Sequence, residues 1–229
     1  QQGELGDCYF LAAVASLANT PAGKKQIFDM IQDQGNGKFS VTFPGQPAIT
    51  IDAPTDAEIA LYSTAAKDGQ WLAVLEKAYA HQTNQNAWFI QRSNPYDAIG
   101  NGAQLSTGIK GITGSGSDTD ILILTSESSL RTKLQQALKA GRVTTSSVSK
   151  TLNPMADQNR TANGLPRGHA YSVLAFDAKT DQVTVRNPWG NTELINAQGA
   201  PRDGVDDGTF TMSLTEFKAT FSMITYGNR

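Results

Sequence analysis

The stretch QQGELGDCYFLAAVASLA, Gln1 to Ala18, sets the reading of the whole chain. It carries the only cysteine, Cys8, where a glycine-bearing turn gives way to an apolar run. Gly3, Gly6 and Asp7 are turn and cap residues, with Asp7 placed as the N-cap. Phe10, Leu11, Val14 and Leu17 then recur at helical spacing, which predicts a helix burying one face. A thiol in the first turn of a helix meets the positive end of the macrodipole and unpaired N–H groups, and both favour thiolate. A lone cysteine is ordinarily a small buried hydrophobe, so a catalytic reading needs partners elsewhere in the chain.

The 229 residues suffice for one large domain or two small ones, each with a core of its own. Charged residues make up 17%, below the roughly 25% of an average soluble domain, and Asn, Gln, Ser, Thr and Gly fill the gap. That neutral-polar balance, without cysteine pairs, leans toward a secreted or cell-envelope enzyme of a bacterium. A net charge of −2 offers no basis for binding nucleic acid or an anionic membrane. No apolar run approaches the ~20 residues of a membrane span. One cysteine excludes an internal disulfide and any multi-cysteine zinc site. The chain opens almost on the candidate nucleophile, so it is expected to be part of a longer polypeptide.

Moving outward, Asn19-Thr20-Pro21 breaks the first pattern, and a second helix is expected from Gly23 or Lys24 to Gln32. Asp33 to Lys38 is turn-rich, and Phe39–Phe43 and Ile49–Ile51 alternate like a hairpin around Pro44-Gly45-Gln46-Pro47. In WLAVLEKAY, residues 71–79, Trp71, Leu72, Leu75 and Tyr79 share a helical face. Glycine is dense from Tyr96 to Ser117, which predicts loops and short helix ending in a hinge at Gly114–Asp118. Beyond it, Ile121–Leu124 reads as a buried strand and Ser129–Ala140 as an amphipathic helix stopped by Gly141. Strand-like runs follow at Val143–Val148, Ala170–Phe176 and Gln182–Arg186, with a polar loop from Asn153 to Gly168 between the first two. Gly208–Ser213 and Leu214–Thr225 read as strand, short helix, strand. The expectation is an α+β chain of two lobes: residues 1–118, mostly helical and carrying the cysteine, and residues 119–229, β-rich.

Two histidines are present. His81 follows the WLAVLEKAY helix in a polar stretch and reads as a solvated helix-end residue. His169 opens the strand HAYSVLAF beside a loop, where its ring can be fixed while one edge faces a cleft. After the next strand comes VRNPWG, Val185–Gly190, which by itself is an ordinary Asn-Pro turn with an anchoring Trp. Together with His169 it gains meaning. Asn187 can accept from an imidazole N–H and fix its tautomer, and Trp189 can shield that bond from water.

Cys, His and Asn in this order match the papain-type order, with the His roughly 130–150 residues or more beyond the Cys. The chain resembles the protease core of the calpain family of papain-like cysteine proteases along its whole length. QGELGDCYFLAAVASLA is similar to that family's active-site signature, including the Gln six residues before the Cys. WLAVLEKAYA, GIKGITG, LQQALKAG, GHAYSVL, VRNPWG and DDGTFTMSLTEF follow in the family's order. The resemblance implies a two-lobed papain-like fold with the site in the cleft. It implies Cys8 as nucleophile, His169 as general base and acid, Asn187 as its orienter and Trp189 as cover. Gln2 would donate its side-chain amide to an oxyanion hole together with the Cys8 backbone N–H. A Cys–His pair of this kind lowers the thiol pKa to about 3–4 in papain. The implied activity is endopeptidase hydrolysis of extended protein segments through a thioester.

Tyr9 stands where the family usually has Trp, which implies altered packing rather than altered chemistry. The family's cores bind calcium in each lobe, and here the set looks depleted. Glu193 and Asp207 match ligand positions, whereas Thr107 and Thr209 stand where the family has Glu. Calcium takes six to eight oxygens, several of them carboxylates, so no required cofactor is expected. Two other readings share the fold: acyl transfer to an amine, and a non-catalytic binding module. The loop leading into His169 reads equally as a gate over the cleft or a plain surface excursion.

Overall fold

The first helix, α1 (Cys8–Ala18), lies where two lobes meet. In the computed structural model, which describes residues 1–65, 68–88, 90–151 and 155–228, α1 is buried nearly all round rather than on one face. One side sits in the core of the first lobe, where Phe10 stacks on Tyr79 with ring centroids 3.8 Å apart. The other side lies against the strand that begins at His169. Asp7 precedes the helix but does not cap it with its side chain, which is turned inward and fully buried.

In the first lobe α2 spans Pro21–Met30. It starts earlier than Gly23 because the Thr20 hydroxyl accepts from the Gly23 N–H and Pro21 suits the first turn. It stops two residues before Gln32 because Ile31–Gly35 forms strand β1. The turn-rich reading of 33–38 therefore holds only at Asn36-Gly37, where both residues take positive φ, as a tight hairpin turn requires. β1 is polar and exposed, so no alternation announces it. It pairs with β2 (Lys38–Val41), which pairs with β3 (Ile49–Asp52) as the hairpin pattern predicts. A short α3 (Asp56–Leu61) follows, then α4 (Trp71–Gln85), which continues past Tyr79 and takes in His81. The glycine-rich region holds α5 (Leu105–Thr113). A Cβ on Gly108 would fall 2.1 Å from the Tyr9 carbonyl oxygen, so that glycine lets α5 cross α1 backbone to backbone. Gly114, at φ +69°, ends the helix in the left-handed region.

The second lobe is a six-stranded antiparallel sheet ordered β4–β9–β5–β6–β7–β8 among the described residues. Its strands are β4 (Ser117–Ile121), β5 (Thr144–Val148), β6 (His169–Asp177), β7 (Gln182–Arg186), β8 (Thr209–Ser213) and β9 (Met223–Gly227). The buried strand expected at Ile121–Leu124 is not there. Those residues end β4 and form a 3-10 turn in which only Leu122 is buried, while Ile121, Ile123 and Leu124 are exposed. β4 is an edge strand, so its sequence, SDTDI, is polar. α6 (Glu127–Lys139) begins before Ser129 because the Ser126 hydroxyl accepts from the Ser129 N–H. α7 (Leu214–Thr220) completes the strand–helix–strand end. A second core, built around Tyr171, Phe217, Leu130 and Leu134, is separate from the first, and the molecule is a two-lobed α+β fold. Of the polar loop 153–168, Asn153 and Pro154 lie outside the described residues. Further along, the Thr161 N–H donates to Leu165 O, and the Tyr171 hydroxyl to Pro166 O.

Three polar contacts fasten α1 to the second lobe. Ser172 Oγ donates to Ala12 O, the Thr144 N–H to Ser16 Oγ, and Asn19 Nδ2 to Leu174 O, each at 2.8 Å. The first two involve buried side chains, where each lost bond would leave an unpaired group.

Candidate active site

β6 runs along α1 so that its first residue, His169, lies near the N-terminus of that helix, where Cys8 is the first residue. Gly168, at φ +64°, turns the chain into the strand, and its N–H donates to Val148 O. Cys8, His169, Gln2 and Trp189 line one cleft of about 700 Å³, with Gly100, Gly102 and Arg167 also on its walls. Asn187, fully buried, stands behind the imidazole at the end of β7. His81 is elsewhere, on α4, and takes no part.

The carboxamide of Asn187 has only one orientation available. Its Nδ2 donates to Thr192 O at 2.8 Å, and its Oδ1 accepts from the Trp189 N–H at 3.0 Å. Oδ1 is therefore the atom that meets His169 Nε2, at 2.8 Å, and Nε2 must carry the proton and donate. Nδ1 is left as the unprotonated ring nitrogen. The Trp189 ring lies 4.4 Å from the imidazole at a tilt of 41°, and Tyr171 meets it edge-on at 5.0 Å. His169 is consequently only 6% exposed.

Burial dominates the electrostatics. It pushes the Cys8 thiol above its ordinary pKa, against a pull from the Ala170 N–H, and the Asp7 charge, when present, pushes the same way. Burial also lowers His169 to about 4, against the Asn187 bond. The thiolate preference expected from the helix terminus is thus outweighed, and neutral thiol and neutral imidazole are favoured. Among the described residues no hydrogen bond joins Cys8 Sγ to the ring, and the pulls of the Ala170 N–H on the thiol and of Asn187 on the imidazole are smaller than the cost of burial.

An acid sensitivity follows. His169 titrates near 4 in the fold and near 6.5 in a free chain, so between those values the unfolded state binds more protons. Its contribution to stability is complete above about pH 6.5 and shrinks as pH falls toward 4, by up to roughly 3 kcal/mol. Denaturant titrations from pH 7 to 4 are expected to show this slope, and to show less of it in His169→Gln.

Gln2 is tied down at both ends. Its backbone N–H donates to Pro188 O at 2.8 Å, which fastens it beside Trp189. Its side-chain Nε2 donates to Leu5 O at 2.5 Å and to Asp7 Oδ1 at 3.3 Å. The residues not foreseen are the fully buried Asp7 carboxyl and Glu76 on α4, equally buried. A signal for Glu76 existed. It sits among Leu72, Leu75 and Tyr79, on the face that the helical periodicity assigns to the core.

The calcium candidates are engaged locally. Glu193 Oε1 accepts from the N–H groups of Asp207 and Gly208, both at 3.0 Å, and Asp207 Oδ1 accepts from the Thr209 N–H at 2.8 Å. Among the described residues no group of three or more His, Cys, Asp or Glu gathers as a metal would need. Burial, and after it the charges of Asp203 and Asp207, push the Glu193 pKa up, and its Oε2 is buried without a donor among the described residues. Tyr9 is buried in the first core and meets the Tyr79 hydroxyl, which makes it a packing residue.

Comparison with known proteins places this geometry in context. A family model described as calpain family cysteine protease matches residues 1–204. Calpain-9 of Mus musculus is 29% identical over 257 residues, covering 97% of this chain and 35% of its own length. The calpain-1 catalytic subunit of Sus scrofa is 28% identical, covering 97% and 34%, and calpain clp-1 of Caenorhabditis elegans is 26% identical, covering 96% and 30%. The chain spans about a third of the length of these curated relatives. They are animal proteins, so the bacterial leaning of the composition finds no support among them. No helix among the described residues is long and apolar enough to cross a membrane.

Proposed function

Since the chain belongs to the calpain family of cysteine proteases, we propose that it is a cysteine endopeptidase that hydrolyses extended segments of protein substrates. The observation that carries this reading is the imidazole of His169, locked by Asn187 with Nδ1 free, in the same cleft as the only cysteine. His169 Nδ1 takes the thiol proton as Cys8 Sγ bonds to the scissile carbonyl carbon. The imidazolium then protonates the departing amine as the C–N bond breaks, leaving a thioester. Water, deprotonated by the same ring, attacks the thioester, and the thiolate leaves and is reprotonated.

Negative charge develops on the carbonyl oxygen in both steps. The Cys8 backbone N–H, at the first turn of α1, has no partner within the helix and is one donor. Gln2 supplies the other when its weaker bond, to Asp7, is exchanged for one to the oxyanion. Gln2→Ala is expected to lower kcat by about 10²–10³-fold with little change in KM, as losing one such donor does. Initial-rate kinetics on a fluorogenic peptide reads this.

The lobes are taken to meet in the Gly114–Gly116 segment, because Ser117 and Asp118, assigned to the first lobe in the sequence reading of 1–118 and 119–229, pair with β9 in the second sheet. The contacts of Ser16, Ser172 and Asn19 join the lobes directly. Cleavage is therefore expected to persist in excess chelator, and loss that added calcium restores would sink the idea. The reading as a whole is tested by incubating the protein, and a Cys8→Ser variant, with an unfolded protein and following products by mass spectrometry. New peptide termini from the unaltered protein alone support hydrolysis. Crosslinked mass would mean transfer to an amine, and no difference from the variant would leave a binding module.

A further inference from the structure

Behind Cys8 lies a pair of carboxyls that no step above uses. Asp7, at the foot of α1, and Glu76, on α4, are each 0% exposed, and their carboxyl groups are in hydrogen-bonding contact. Glu76 Oε2 accepts from the Ser63 N–H and hydroxyl at 2.9 and 2.8 Å. Asp7 Oδ1 accepts from Gln2 Nε2. The remaining oxygens, Asp7 Oδ2 and Glu76 Oε1, are buried and have no donor among the described residues. Two ionised carboxylates in such a place repel each other and have both lost their hydration. One proton between them removes the repulsion and supplies the missing donor. It belongs on Asp7, because Glu76 receives two bonds from Ser63 at 2.9 and 2.8 Å that stabilise its anion, whereas Asp7 receives its own backbone N–H and the long bond from Gln2 at 3.3 Å.

We propose that Asp7 is a protonated positioning residue: its hydroxyl donates to Glu76, its carbonyl oxygen holds the Gln2 carboxamide in the resting cleft until the oxyanion takes that N–H, and its neutrality keeps a negative charge away from Cys8. This rests on the reading of Cys8 as nucleophile and Gln2 as oxyanion donor. The other titratable groups facing the pair are the phenols of Tyr9, Tyr79 and Tyr96. Burial keeps the phenols neutral well past the working range, so Cys8 is the neighbour whose ionisation answers to Asp7.

Isosteric amides separate the charge from the packing. In Glu76→Gln the amide oxygen can still accept from Ser63, and its NH2 faces Asp7, which then needs no proton and ionises beside the thiol. The rate of Cys8 alkylation by iodoacetamide, followed against pH, is expected to shift its midpoint alkaline by about one unit or more, as a close like charge does. Adding Asp7→Asn to that variant removes the charge and is expected to return the midpoint. A purely structural role would make the double variant worse. Infrared difference spectra of the wild-type protein and Asp7→Asn are expected to show a protonated carboxyl at neutral pH in the former only, which requires no folded Glu76 variant. An unmoved midpoint in folded Glu76→Gln, a shift that Asp7→Asn fails to reverse, or no protonated-carboxyl band would overturn the proposal. Alkylation reads Cys8 whether or not peptides are cleaved, so a failure of proteolysis does not decide this test.

Discussion

Replacing Cys8 with alanine is expected to lower peptide hydrolysis by about 10⁴-fold or more, with thermal unfolding changed by no more than about 1 kcal/mol. The rate falls because no other thiol exists in the chain to form the thioester. What remains over water is the contribution of binding and of the oxyanion donors, which survive nucleophile removal in comparable enzymes. Stability is spared because Cys8 is only partly buried, at the margin of the first core. Initial rates paired with calorimetry read both quantities. Substantial residual cleavage that copurifies with the variant would move the chemistry away from this cleft.

The second large effect is expected at His169. His169→Ala is expected to cost about 10⁴-fold in kcat, because one ring serves as base toward the thiol, acid toward the amine and base toward water. The fold should tolerate the change better than its 6% exposure suggests. Asn187 Oδ1 keeps the Trp189 N–H and Nδ2 keeps Thr192 O, so deleting the ring leaves no orphaned carboxamide. The stability cost is that of the cavity against Trp189 and Tyr171, roughly 2–4 kcal/mol. Kinetics and denaturant unfolding on the same preparation separate the two, and loss of activity in proportion to loss of fold would argue against a chemical role.

Several elements were legible because their signal is local. Phe10, Leu11, Val14 and Leu17 announce α1, Gly208–Ser213 and Leu214–Thr225 read as strand, short helix, strand, and HAYSVLAF alternates as a strand should. The failures are just as physical. β1 is an exposed polar strand whose pairing with β2 carries it, and pairing leaves no periodicity in one strand's sequence. Ile121, Ile123 and Leu124 read as core although the chain leaves the sheet there and turns them outward. The glycine-dense region read as loop and short helix, and α5 is that helix, but the close approach to Tyr9 that Gly108 permits left no mark in the pattern.

By sequence alone, the chain determined its family resemblance, its two-lobed α+β class and the residue types of the candidate site, because those rest on motifs a few residues long. The opening stretch supplied a cysteine, a glutamine and a helix. The structure alone decided what surrounds that cysteine: a desolvated cleft that favours thiol and neutral imidazole, three bonds tying α1 to the opposite lobe, and Glu76 brought from α4 to meet Asp7. Those properties depend on burial and on contacts between residues far apart in the chain. Neither is encoded at any one position, since the hydration a group loses is set by every element that packs around it.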